Sequence, residues 1–169
     1  KNILFGARDR FGVKPFYYYK DKDVFAFASE QKALVKMPFI QTGIRQEAVY
    51  DYFVKGEIEY ETLSFFKHIN ELFPAHSFEL HVNTGNFTID RYYVLETNAK
   101  FENYEEEKFN LAKERVAALL NNAIKLRLRA DVSVGACLSG GIDSSAIVSL
   151  MNNLNKENGI KEKIKLFTA

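Results

Sequence analysis

Short apolar runs of β type fill the first part of the chain, whereas helical spacing dominates after Glu96. Ile3 to Ala7, Pro15 to Tyr19 and Val24 to Ala28 are predicted strands, separated by turns at Gly12 and Asp21-Lys22-Asp23. A small helix starting near Ser29-Glu30 closes that group, with the two residues acting as a helix-start pair. Residues 45–55 are predicted as a helix with Ala48, Val49, Tyr52 and Phe53 on its apolar face and Gly56 as its stop. Phe65 to His76 shows neither period and is expected to be an irregular connector. Phe78 to Val82 and Phe87 to Tyr93 then predict a hairpin around Asn83-Thr84-Gly85-Asn86.

Past Glu96 the pattern changes. Glu105-Glu106-Glu107 opens a long helix that ends in Lys125, Arg127 and Arg129, a charge order that complements the helix dipole. Phe109, Ala112, Val116, Leu119, Leu120 and Ala123 are its expected buried stripe. Val132 to Leu138 reads as a buried strand, followed by a glycine turn. The next helix has apolar positions 146, 147, 150, 151 and 154 on one face, and a last strand spans 164–168. Strand, loop, helix and strand in that order imply a parallel pair with a right-handed crossover. The unlike halves divide the chain into expected domains at 1–95 and 96–169, α+β first and α/β second.

A net charge of +1 gives no pull towards nucleic acid or an anionic membrane, and no apolar run has the length of a bilayer span. The one cysteine, Cys137, excludes an internal disulfide framework and fits a reducing cytosol, so the expected location is cytoplasmic. Its place in the strand before the glycine turn makes it a small core residue rather than a nucleophile. Phe and Tyr are plentiful and Trp is absent, which points to aromatic packing. The chain opens at Lys1 in mid-run and stops at Ala169 within a predicted strand, so an internal piece of a longer protein is expected.

The chemistry concentrates in Ser139-Gly140-Gly141-Ile142-Asp143-Ser144-Ser145. Adjacent glycines admit a ligand close to the backbone, and free N–H groups at a helix start attract an anion. Three hydroxyls and a carboxylate surround the same turn. The string lacks the lysine of the G-x-x-x-x-G-K-[ST] phosphate loop and the G-x-G-x-x-G dinucleotide fingerprint. A plainer alternative is a serine-capped helix in which Asp143 serves only as the N-terminal cap. Arg8 and Asp9, adjacent on a turn, are candidates for a buried ion pair, with a role at a domain interface as the second option. His68, His76 and His81 are spaced too irregularly for a metal cluster, and Glu105–Glu107 reads as a solvated first turn.

The seven-residue string resembles the SGGxDS loop of the ATP pyrophosphatases. Gly6 to Tyr18 (GARDRFGVKPFYY) is similar to the GxRDxxGxxPLYY stretch of N-terminal-nucleophile glutamine amidotransferases, and Ala28 to Leu34 to their FASExKAL element. Phe65 to Ser77, Arg91-Tyr92-Tyr93 and Arg127 to Ser145 resemble, in order, three further blocks of glutamine-dependent asparagine synthetases. The resemblance covers nearly the whole chain. It implies the C-terminal part of an N-terminal-nucleophile glutaminase domain, α+β, followed by the start of an α/β parallel-sheet ATP pyrophosphatase domain.

It also implies a function. In that family glutamine is hydrolysed in the first domain, ATP·Mg²⁺ adenylates the aspartate side chain in the second, and ammonia displaces AMP to give asparagine. Carried over, Ser139, Gly140, Gly141, Ser144 and Ser145 would contact pyrophosphate, Asp143 would hold Mg²⁺, Leu138 would lie near the nucleoside, and Ala169 would be a second adenine-side contact. The family's catalytic residues match no position here, so no catalytic residue is assigned and the segment alone is expected to be inactive. A homodimer of the parent protein is a further expectation, with aspartate, glutamine and ATP as its small-molecule partners. Amidation of another carboxylate acceptor, or a non-catalytic remnant, are the alternatives. Two positions depart from the family: Ala75-His76 stands for the usual Gly-His, which would reshape that turn, and Ser133 stands for proline.

Overall fold

The computed structural model describes residues 2–56, 64–97, 101–159 and 164–168. The chain divides into two compact units, Lys1–Asn98 and Ala99–Ala169. The first carries β1 (Ile3–Ala7), β2 (Tyr17–Lys20), β3 (Phe25–Ala28), α1 (Gln31–Val35), α2 (Gln46–Lys55), β4 (Ile69–Glu71), β5 (His76–His81) and β6 (Phe87–Arg91). These strands form two antiparallel sheets of order β1-β5-β6 and β3-β2-β4. The second unit carries α3 (Glu106–Arg127), β7 (Gly135–Cys137), α4 (Ile142–Glu157) and β8 (Lys165–Phe167), with β7 and β8 paired in parallel. The protein is thus a mixed α/β chain with small antiparallel sheets in its first unit.

β2 explains why its sequence shows a run rather than an alternation. Successive side chains of a strand point to opposite faces. Tyr17 and Tyr19 pack with Leu34, Ile40 and Ile69, while Tyr18 turns the other way onto Leu72 and Phe78. Both faces of the central strand are covered, so every position wants an apolar body. Phe25 adds ring contacts to Phe78 at 5.2 Å and Phe87 at 5.5 Å, completing an aromatic cluster on the Tyr18 side.

The connector expected to be irregular is not. Residues 69–71 form β4 against β2, in the register Tyr17↔Glu71 and Tyr19↔Ile69. The buried hydroxyl of Ser64 lies 2.9 Å from Phe66 O and 2.8 Å from Ile69 O and accepts the Phe66 N–H, tying down the entry to that strand. α2 ends at Gly56, whose φ of 73° is the left-handed conformation of a helix stop. Its expected apolar face is at most half-buried, with Tyr52 and Phe53 exposed. α1 starts at Gln31, with Glu30 as cap residue but no side-chain capping bond; Glu30 instead pairs with Lys32 at 2.5 Å. Ala75 sits at φ 62°, so the turn adopts the left-handed backbone that a glycine would favour there.

Arg8 and Asp9 do not pair with each other as the main feature of their turn. Arg8 is buried and its Nη1 meets Glu71 Oε1 at 2.5 Å, across to β4. The same guanidinium donates to the carbonyls of Leu72 (2.7 Å), Lys14 (2.8 Å) and Gly12 (3.3 Å). The Asp9 carboxylate accepts backbone N–H groups from Val13 (2.9 Å), Phe11 (3.2 Å) and Lys14 (3.2 Å). A short charged side chain reaches its own loop more readily than a bulky neighbour pointing into the core.

This has a pH consequence. The Val13 N–H, then those of Lys14 and Phe11, hold the Asp9 carboxyl below its ordinary range against partial desolvation, and the Arg8 charge adds to the effect. A depressed carboxyl contributes stability that is fully present above its unfolded pKa and disappears as pH falls through the lower folded value. Urea midpoints should therefore fall more steeply below about pH 4 in the wild type than in Asp9→Asn, which lacks the titrating group. Parallel curves for the two proteins would show that the loop does not depend on that charge.

In the second unit three expectations change. The strand predicted over 132–138 is ordered as β only at Gly135–Cys137, and Cys137 is exposed rather than a core residue. The stripe predicted to be buried along α3 is exposed apart from a half-buried Ala123; the buried position is Ile124. Helical spacing marks a face able to be covered but does not supply the cover. Here α4 reaches only the end of α3, where Met151 and Leu154 pack on Ile124 with Leu128 and Val134 beside them. On α4 itself Met151 and Leu154 are buried, while Ile147 of the same predicted face is exposed.

Candidate functional site: the glycine turn between β7 and α4

The turn hangs from a parallel strand pair. Leu138, half-buried, donates its N–H to Phe167 O at 2.8 Å, which carries the β7–β8 pairing one residue beyond the strand and fixes where the turn begins. Gly140 follows at φ 81°, a conformation that a residue with a Cβ adopts only at a cost of roughly 1–2 kcal/mol. Apart from its two chain neighbours, no described residue has an atom within 4 Å of where its Cβ would be, so the backbone there faces open space among the described residues. Gly141 is the N-cap of α4, extended at φ −76° and ψ 164°, and makes no side-chain capping bond.

The first turn of α4 is accordingly uncapped. Ser145 N–H is the first to reach back to Gly141 O, at 3.1 Å. The N–H groups of Ile142, Asp143 and Ser144 precede any intrahelical acceptor. The serine hydroxyls do not cap them either. Ser144 Oγ and Ser145 Oγ lie 3.2 Å and 2.8 Å from Gly141 O, and Ser139 Oγ lies 3.1 Å from Ser144 Oγ across the turn. Asp143 is exposed in the first helical turn and is not the cap residue, so the capping role considered for it is not realised.

The structure thus brings Ser139, Gly140, Gly141, Asp143, Ser144 and Ser145 together around one helix start, with Leu138 at its entrance. Ala169 lies outside the described residues. The arrangement can accept an anion, because uncapped N–H groups, the positive end of a helix of 16 residues and three hydroxyls converge there. The exposed Asp143 carboxylate has the hard oxygen donors that suit Mg²⁺. What the sequence did not reveal is the Phe167 carbonyl, a backbone acceptor that carries no side-chain signature.

Other polar candidates lie elsewhere. No group of three or more His, Cys, Asp or Glu among the described residues could hold a metal. No described helix is long and apolar enough to cross a membrane. A cavity of about 600 Å³ in the first unit is lined by residues that include Pro15, Tyr17, Glu30, Ile44, Phe65 and Phe66. It contains none of the residues of the glycine turn.

Residues 1–93 match the glutamine amidotransferase domain family, and residues 115–169 match the asparagine synthase family. The chain is 35% identical over 150 residues to asparagine synthetase (glutamine-hydrolyzing) 3 of Bacillus subtilis (strain 168), covering 89% of this chain and 23% of that protein. It is 36% identical over 155 residues to asparagine synthetase (glutamine-hydrolyzing) 2 of the same strain, covering 87% and 20%. To amidase chyE of Penicillium rubens it is 30% identical over 179 aligned positions, covering 100% and 25%. The chain therefore spans about a quarter or less of the length of these relatives. With its two parts matching two families in the order in which its own motifs run, the chain belongs to the glutamine-dependent asparagine synthetase family, its residues 1–93 being a glutamine amidotransferase domain.

Proposed function

We propose that the protein carrying this chain makes asparagine from aspartate, ATP and glutamine, and that residues 138–145 form its pyrophosphate grip. The observation that carries this reading is the uncapped start of α4, with Gly140 open to a ligand and three hydroxyls beside it. In this reading the first domain, residues 1–95, belongs to the half that releases ammonia from glutamine. The second, residues 96–169, begins the ATP pyrophosphatase half, with β7 and β8 as the first strands of a larger parallel sheet. The N–H groups of the α4 first turn and the hydroxyls of Ser139, Ser144 and Ser145 bind and orient the pyrophosphate end of ATP. Leu138 lines the nucleoside side, and Ala169 completes the adenine side.

Asp143 would hold Mg²⁺, which when bound neutralises phosphate charge and makes pyrophosphate a better leaving group. The residues fit that ion, since the carboxylate is exposed beside the anion site and is not engaged as the N-cap residue of its helix. Adenylation turns an unreactive carboxylate into an electrophile that ammonia attacks, and AMP leaves. The protein is read as cytoplasmic and as a homodimer. A second reading, amidation of a different carboxylate, draws on the similarity to a protein named as an amidase.

Titration of the 169-residue chain with magnesium pyrophosphate tests the grip. Weak binding is expected. Gly140→Ala should weaken it about tenfold or more, because a methyl group in the ligand space forfeits a hydrogen bond to a charged group. The methyl meets no atom of the described residues beyond its chain neighbours, so folding should suffer only the strain of the left-handed backbone. Equal binding by both forms would remove the reading. In the protein carrying the chain, aspartate-dependent conversion of ATP to AMP separates asparagine synthesis from amidation of another acceptor.

A further inference from the structure

Strands β7 and β8 have three residues each, and a ladder so short does little to fix its own register. Val134 and Ala136 turn towards α4, where they pack with Ile164 beside Ile124, Met151 and Leu154. Alternation puts Gly135 and Cys137 on the opposite face, and the parallel register puts Lys165 and Phe167 there with them. Phe167 stands level with Cys137, yet its ring reaches back over Gly135. A Cβ at Gly135 would lie 2.8 Å from Cε2 of that ring and 3.0 Å from the Lys165 carbonyl oxygen. Gly135 is not among the glycines with positive φ, so no backbone conformation calls for it. What calls for a glycine is the ring, which fills the space of the missing side chain.

We propose that Gly135 and Phe167 are positioning residues for the glycine turn: the ring seated on Gly135 holds β8 in the register that presents the Phe167 carbonyl to Leu138. That carbonyl accepts the Leu138 N–H at 2.8 Å, one residue before Ser139. A slip of β8 by one residue is opposed from the α4 side, because it would turn Ile164 outwards. A slip by two keeps every side chain on its face, and there the ring decides. It would meet Ser133 or Cys137, each of which has a side chain where Gly135 has none. Such a slip would carry the Phe167 carbonyl about 7 Å along the strand from Leu138 and free the start of the turn. The inference deepens, and rests on, the reading of residues 138–145 as a pyrophosphate grip. It adds two residues outside the turn that set where the grip stands.

The test uses the 169-residue chain, with amide exchange of Leu138 followed by NMR beside titration with magnesium pyrophosphate. Phe167→Ala keeps the carbonyl and removes the ring. Because Phe167 is 62% exposed, this truncation gives up little buried area, and the helical circular dichroism should stay at the wild-type level. Leu138 exchange should nevertheless quicken about tenfold or more, and pyrophosphate affinity should fall by about the same factor. Phe167→Tyr keeps a ring of the same footprint and should restore both readings. Gly135→Ala, which displaces the ring, should reproduce the loss. Adding it to Phe167→Ala should cost little more, because both remove one seat. A wild-type chain that binds no pyrophosphate would remove the grip reading and the positioning role with it. With wild-type binding intact, unchanged Leu138 exchange in Phe167→Ala, failure of Phe167→Tyr to restore it, or loss of the helical signal would each overturn this inference alone.

Discussion

Glu71→Ala is expected to lower the stability of the chain's first unit by about 3–5 kcal/mol, the cost of leaving a buried charge without its partner. Arg8 and Glu71 are 8% and 5% exposed, so neither charge is solvated by bulk water where it stands. Glu71→Gln retains an acceptor and should cost less, about 1–2 kcal/mol. The usual rescue of a buried pair, replacing both members by apolar residues, should fail here. Arg8→Met with Glu71→Leu would also orphan the carbonyls of Leu72, Lys14 and Gly12, each now satisfied by the same guanidinium. The double variant should therefore remain several kcal/mol below wild type. Urea unfolding followed by tyrosine fluorescence reads this directly, since the chain lacks Trp and Tyr17, Tyr18 and Tyr19 are buried in the unit concerned. A Glu71→Ala protein within about 1 kcal/mol of wild type would mean that Arg8 finds water or another acceptor.

That pair also marks where the sequence stops being legible. Arg8 stands out because it is charged and adjacent to Asp9, but its partner lies 63 positions away on a strand of three residues. So short a strand carries no period of its own. β4 exists because β2 offers it a free edge, which is a tertiary fact. The hairpin is readable because its signals are local: Asn83 to Asn86 lie between alternating residues, and Gly85 at φ 70° takes the left-handed turn position. The glycine turn is readable for the same reason, since strand end, turn and helix start are contiguous in sequence. The burial of α3 and of Cys137 is not. Burial depends on what lies opposite, and periodicity reports only that a face is apolar. The Ala75 turn shows the converse: carbonyl and amide bonds to Tyr92 and Asp9 hold a residue with a Cβ in the left-handed backbone that a glycine favours.

Gly6→Ala should be nearly as damaging as the loss of Glu71, at about 3 kcal/mol. Gly6 lies opposite Phe78 in the register of β1 and β5. A Cβ built at Gly6 would stand 2.3 Å and 2.5 Å from two carbons of the Phe78 ring, inside the closest approach that real methyl groups show. The ring cannot swing aside, because it is buried and packed against Phe16, Phe25 and Phe87 at centroid distances of 5.2–5.7 Å. Interiors packed to this density transmit such a displacement instead of absorbing it. Either β1 moves off β5, which opens their ladder, or the aromatic cluster shifts beneath Tyr18. Trimming the ring separates this account from a simple loss of backbone freedom. Phe78→Leu alone should cost about 1–3 kcal/mol by leaving a cavity. Combined with Gly6→Ala it should cost less than the sum of the two, because the added methyl then has room. Additive losses would place the defect of Gly6→Ala in the backbone of β1 and not in its contact with Phe78.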